Sequence, residues 1–345
     1  MSSGAGAAQA RLEPLRAGAC TIRAGTASWA DRSLLQAGTF YPKRSMSASD
    51  RLGFYASRLS VAEVTTTARF PPTAALSAQW AERTPPGFVF DPWLWSLLSG
   101  GAVRPDSLWA DLRCELLPAR RESPRLYRQH LSADGRAECW ARFVHALGPL
   151  ERAGRLGTLL VRYPHWVGPR EAAWQELADL PARLPGKRVA VELTHPAWFE
   201  GDRVEQTLGW LEDHGLGYVC VDRDLRGSTA LGETAARGAP PTPAVAGADP
   251  GVVVAATADT SVVRFPGRRS VPGERWTWPY RYSTDELAGW VETVEALAAS
   301  CTEVHLLFGN CHGSDAVDNA ATLLELCRGA ERGAPQSPAA CTTDP

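Results

Sequence analysis

Short apolar runs of strand length recur along this chain with helix-period segments between them, and this alternation constrains the fold more than any single motif does. The runs are 20–26, 60–66, 87–93, 156–164, the start of 188–199, 215–222, 260–267 and 303–310. Between them lie segments such as "TAALSAQWAERT" (73–84), "AECWARFVHALGPLERAG" (137–154) and "DRVEQTLGWLEDHG" (202–215), whose apolar residues return every three or four positions. Strands that are apolar throughout are buried on both faces, as parallel strands are. Eight strand–helix units in 345 residues fit a closed TIM-type (β/α)8 barrel better than an open doubly wound sheet, which is the alternative.

Punctuation supports these units. Pro185-Gly186 and Gly215 break two of the periodic segments, and Ser283 with Glu286 forms a capping box before another. The barrel is expected over 20–330, with flexible tails at 1–19 and 331–345. Residues 223–259, rich in Gly, Ala and Pro, read as a long irregular loop after strand six.

In such a barrel ligands bind where the C-terminal strand ends meet. Those ends carry Trp29, Glu63, Asp91, Trp93, Arg162, Glu192, Thr194, His195, Asp222, Arg264 and Asn310. Glu192 is the candidate for proton transfer, assisted by Glu63 or His195. Arg162 and Arg264 would orient a ligand, Asn310 would hydrogen-bond it, and Trp29 and Trp93 would offer stacking faces. The plainer reading is that the two glutamates and two arginines satisfy one another and only brace the barrel. His195 stands equally as a pocket residue or as a partner for a loop carbonyl, and the plainer reading of each tryptophan is that it packs a loop onto the barrel rim.

Composition narrows the ligand. A formal net charge of -2, from 36 basic and 38 acidic residues, gives no field of the kind that gathers nucleic acid or anionic membrane, so a small polar metabolite is the expected partner. No cofactor is expected: there is no GxGxxG or GxxxxGK[ST]. The carboxylates and histidines show neither HxH nor HExxH, so no metal is expected either. The absence of a membrane-length apolar run and of a secretory pattern predicts a cytoplasmic protein whose eight cysteines stay reduced.

Several of these segments together resemble the YecE-like barrels, domain of unknown function 72. "GTASW" (25–29) with "TFYP" (39–42) is similar to that family's G-T-S-G-W and F-Y-P. "WAERTPPGFVF" (80–90) resembles W-x-x-x-T-P-x-G-F-x-F, "VELTHPAWF" (191–199) resembles V-E-F-R-H-P-S-W, and "FGNCHGSDAVDNA" (308–320) resembles F-N-N-x-x-x-G-x-A-x-x-N-A. The resemblance implies the eight-stranded barrel and no particular reaction. Glu63, Glu192, His195, Arg264, Asn310 and Asn319 match the pattern. Thr65 replaces an Asn, Ala68-Arg69 an aromatic pair, Trp93 a Lys, Thr194 an Arg and Pro266 a His, which implies a less anionic, more aromatic ligand. The competing expectation is a noncatalytic scaffold that meets a protein or single-stranded nucleic acid with its tryptophan-rich rim.

Overall fold

The computed structural model describes residues 12–222, 252–268 and 279–333. Its strands are β1 (Leu15–Ala17), β2 (Cys20–Thr26), β3 (Val61–Val64), β4 (Val89–Pro92), β5 (Thr158–Tyr163), β6 (Arg188–Leu193), β7 (Gly217–Val221), β8 (Thr260–Phe265) and β9 (Glu303–Phe308). They run in the order β4-β3-β2-β9-β8-β7-β6-β5, all parallel, with β1 antiparallel beside β2. The two end strands of that order, β4 and β5, meet through the parallel bridges Phe90↔Leu156 and Trp93↔Leu160. The sheet therefore closes into the barrel expected from sequence, and the open-sheet alternative falls away.

Two glycines permit this closure. A Cβ on Gly25 would lie 1.9 Å from the carbonyl oxygen of Val61, its register partner on β3. One on Gly157 would lie 2.2 Å from Asp91 Oδ1. Helices cover the outside, the longest being Ala133–Arg152 and Asp315–Gly333. The first is capped by Ser132, which accepts from Gly135 N at 2.9 Å, and it buries Phe143, Leu147 and Leu150. The Ser283–Glu286 capping box is present. No helix among the described residues is long and apolar enough to cross a membrane.

The segment read from sequence as an N-terminal tail contributes β1, and Leu12 and Leu15 are buried against the core. At the other end the final helix runs to Gly333. The irregular loop expected at 223–259 lies outside the described residues up to 251; of its last stretch, Ala255 and Thr257 are buried. Residues 1–11 and 334–345 also lie outside the described residues.

Inside the barrel the side chains are layered. Val61, Val89, Leu160, Ala190, Val219, Val262 and Leu307 form an apolar girdle capped by Trp93, separate from the larger core between strands and helices. Charged groups lie on either side of it. Toward the N-terminal strand ends are Arg23, Asp91, Arg188, Glu303 and His305; toward the C-terminal ends are Glu63, Arg162, Glu192 and Arg264.

Candidate functional site

An open cavity of about 630 Å³ occupies the C-terminal mouth of the barrel. β3, β5, β6, β7 and β8 deliver Glu63, Arg162, Glu192, Val221 and Arg264 to it by the two-residue alternation of extended chain, and Trp93 follows directly on β4. Glu63 on β3 and Glu192 on β6 both reach Arg264 on β8. Arg264 Nη2 and Nε donate to Glu63 at 2.8 and 3.2 Å, and its Nη1 donates to Glu192 Oε2 at 2.9 Å. Arg162 on β5 donates to the same Glu192 oxygen at 3.0 Å. Trp93 joins the group twice: its indole N–H donates to Glu63 Oε1 at 2.6 Å, and its ring faces the guanidinium carbons of Arg162 and Arg264 at 4.6 and 4.9 Å.

These contacts explain how charge survives here. A lone buried ion costs several kcal/mol, roughly, whereas one held by opposite charges and further hydrogen bonds is tolerated. Burial is the largest single influence on Arg264 and opposes its charge; Glu63 and Glu192 outweigh it and hold the guanidinium above its ordinary pKa. The indole face adds a contact worth about 0.5–2 kcal/mol to each arginine.

The residues singled out from sequence do not all converge. Glu63, Trp93, Arg162, Glu192 and Arg264 line the cavity, as do Thr65, His165, Trp166 and Thr194. Asn310 does not: it lies on the outward parity of its strand, where its side-chain amide donates to Tyr280 O and to Asn319 Oδ1, both at 2.9 Å. His195 caps the turn Pro196–Trp198, its Nδ1 accepting from Ala197 N at 3.1 Å. Trp29 packs edge-on against Trp80 and Phe90, outside the barrel wall. Asp222 is paired with Arg268 at 2.9 and 3.0 Å. Trp95 and Trp198 are buried and bind loop carbonyls at Arg69 and Val167, so of the rim tryptophans Trp93 and Trp166 face the cavity.

Asp91, also read as a rim residue, points inward below the girdle. Its Oδ2 accepts from His305 Nδ1 at 2.6 Å and its Oδ1 from Thr158 N at 2.7 Å. Glu303 lies 3.8 Å from His305 Nε2 and is held by Arg23 at 2.7 Å and by Arg188. Burial opposes a charge on His305, but Asp91 and Glu303 outweigh it and raise its pKa to about 9. Sequence reasoning missed this second cluster because "EVHLLF" alternates too weakly to show that His305 faces in. It also missed Ser96, Ser99 and Gly101, which line the cavity from an irregular loop that carries no periodic signal.

Thr65, Ala68, Trp93, Thr194 and Pro266, five of the positions where the sequence departs from the YecE-like pattern, all line this cavity. The UPF0759 protein YunF of Bacillus subtilis (strain 168) is 23% identical over 321 residues, spanning 88% of this chain and 94% of that protein. A crystal structure of a DUF72 family protein from Enterococcus faecalis V583 superposes with a TM-score of 0.64 at 21% identity, covering 89% of this chain and 97% of that one. A DUF72 family protein from Thermotoga maritima MSB8 gives 0.61 at 20% identity, covering 89% and 99%. The family described as "Protein of unknown function DUF72" matches residues 23–342, and this chain belongs to it.

Proposed function

We propose that the barrel-mouth cavity binds a small polar metabolite, with Arg162 as the first charged contact and Glu192 as the group placed for proton transfer. The observation that carries this is convergence: residues distant in sequence bring two carboxylates, two guanidinium groups and an indole to the floor of one open cavity at the strand ends. A cavity of about 630 Å³ suits a small molecule. Glu63 accepts from Arg264 and Trp93 through both of its oxygens, which gives it a supporting role. Glu192 lines the cavity and is held by Arg264 and by the exposed Arg162, which makes it the carboxylate placed beside the first charged contact of a ligand. Indifference to nucleic acid, argued from net charge, belongs to the same reading, and so does a cytoplasmic location.

The test is a thermal-shift screen of sugars, phosphorylated sugars, nucleosides and amino acids against wild type and Arg162→Ala. A ligand at about 100 times its Kd stabilises by about 2.7 kcal/mol. The expected result is a shift that shrinks in Arg162→Ala, and Glu192→Gln that binds the same compound without turning it over. If Arg162→Ala responds like wild type to every compound, the ligand is not held here. The scaffold reading keeps one observation in its favour, the mutual pairing of all four charges. It predicts no shift with any compound and capture of a macromolecule through Trp166.

A further inference from the structure

The proposed site presents one sign of charge to anything that enters it. Side-chain exposure is 0% for Glu63, 2% for Glu192 and 9% for Arg264, but 48% for Arg162. The carboxylates lie beneath the guanidinium groups. Among the described lining residues, Arg162 is the only permanently charged group with open surface. Glu192 engages Nη2 of Arg162 and the Trp93 ring covers one face, while its remaining N–H groups donate to no other side chain or carbonyl among the described residues. Trp166, 48% exposed, lines the same cavity, with the apolar walls of Leu94, Pro164 and Pro266.

We infer that the ligand of this cavity is a small oxyanion, a carboxylate or phosphate on a planar and largely apolar body, with the oxyanion on Arg162 and the ring against Trp166. This inference rests on the reading of the cavity as a ligand site and names the class of ligand. A guanidinium edge donates to such oxygens in parallel, and an exposed indole stacks on a ring without restricting its identity. A cationic ligand would lose its hydration against Arg162 and find both carboxylates already covered.

Calorimetric titration of the full chain near neutral pH with benzoate, phenyl phosphate, benzamide, benzylamine and acetate tests this. Benzoate or phenyl phosphate is expected to bind, and which of the two binds more tightly separates carboxylate from phosphate. Arg162→Gln should weaken that binding about tenfold or more, in line with a charge-assisted hydrogen bond. Trp166→Ala should weaken it too and reduce the preference for benzoate over acetate. Arg104→Gln, which removes an exposed cation paired with Asp106 elsewhere, should leave it unchanged. Benzamide or benzylamine binding as tightly as benzoate, or an Arg162→Gln variant with wild-type affinity, would overturn the anion assignment while leaving a small-ligand site in place. Silence from both oxyanions would overturn it as well, and the sugars and nucleosides of the thermal-shift screen then report separately on whether the cavity takes ligands at all.

Discussion

Arg264 and Arg162 touch the same carboxylate oxygen yet differ in what they hold. Arg264 is buried and serves both glutamates, so Arg264→Ala leaves buried Glu63 without its cation and Glu192 with Arg162, and should cost about 3–5 kcal/mol. Arg162 is half exposed and leaves Glu192 still paired, so Arg162→Ala should cost no more than about 1 kcal/mol. Urea denaturation of the two variants checks both values, and equal losses would contradict the layered picture of the site. At the other end of the barrel, His305 has a raised folded pKa of about 9 against an ordinary 6.5. Its contribution is complete below pH 6.5 and is lost as pH rises through about 9. Cys301, lowered to about 7 first by its contact with Cys20, titrates in the same window with the opposite sign. The informative quantity is therefore the difference between wild type and His305→Asn, whose side chain retains a donor near Asp91 without titrating. That difference should be largest near pH 6 and shrink toward pH 9, read from urea midpoints across the range; a constant difference would show that His305 does not change charge.

Between elements, the closest approach is β2 against β3 at Gly25. Gly25→Ala places a methyl within bonding distance of a backbone oxygen that cannot rotate away, and should cost about 3 kcal/mol or more, at the upper end of overpacking effects. Gly209, inside the helix Arg203–Asp213 with nothing near its missing Cβ, is the contrasting case. Gly209→Ala should stabilise by about 0.4–1 kcal/mol, by restricting the unfolded chain and improving helix propensity. Chemical denaturation of the pair distinguishes a steric requirement for glycine from a general preference. In "GTASW" the glycine therefore serves strand packing, and the stretch is not a phosphate loop. The element boundaries were largely legible: strands read at 20–26, 156–164 and 303–310 lie at Cys20–Thr26, Thr158–Tyr163 and Glu303–Phe308. Hydrophobic runs and turn residues are local signals, and so they survive into the fold. β1 was not legible, because three residues are too few for a periodic pattern and its pairing with β2 is what defines it.

Across the whole molecule, the apolar girdle lies between the charged layer around Arg264 and the charged layer around His305. Arg162→Ala and His305→Asn should therefore add in a double variant to within about 0.5 kcal/mol. Any ligand response found at the mouth should persist in His305→Asn; its disappearance would show that the layers are coupled through the girdle. The alternation of apolar runs with amphipathic helices determined the barrel by itself, together with which strands carry carboxylates and arginines. It did not determine which parity of each strand faces inward. Parallel strands in a closed barrel are buried on both faces, so Leu306, Leu307 and Phe308 are equally apolar although Leu307 belongs to the inner girdle and its neighbours to the outer core. Asn310 was misplaced for this reason; Asp91 does face inward, and what was misplaced is its depth, which the stagger of the strands sets. The pairing of Glu63, Glu192, Arg162, Arg264 and Trp93 was decided by closure of the barrel, because the distance between side chains on different strands is set by register and stagger around the ring and by nothing local to the chain.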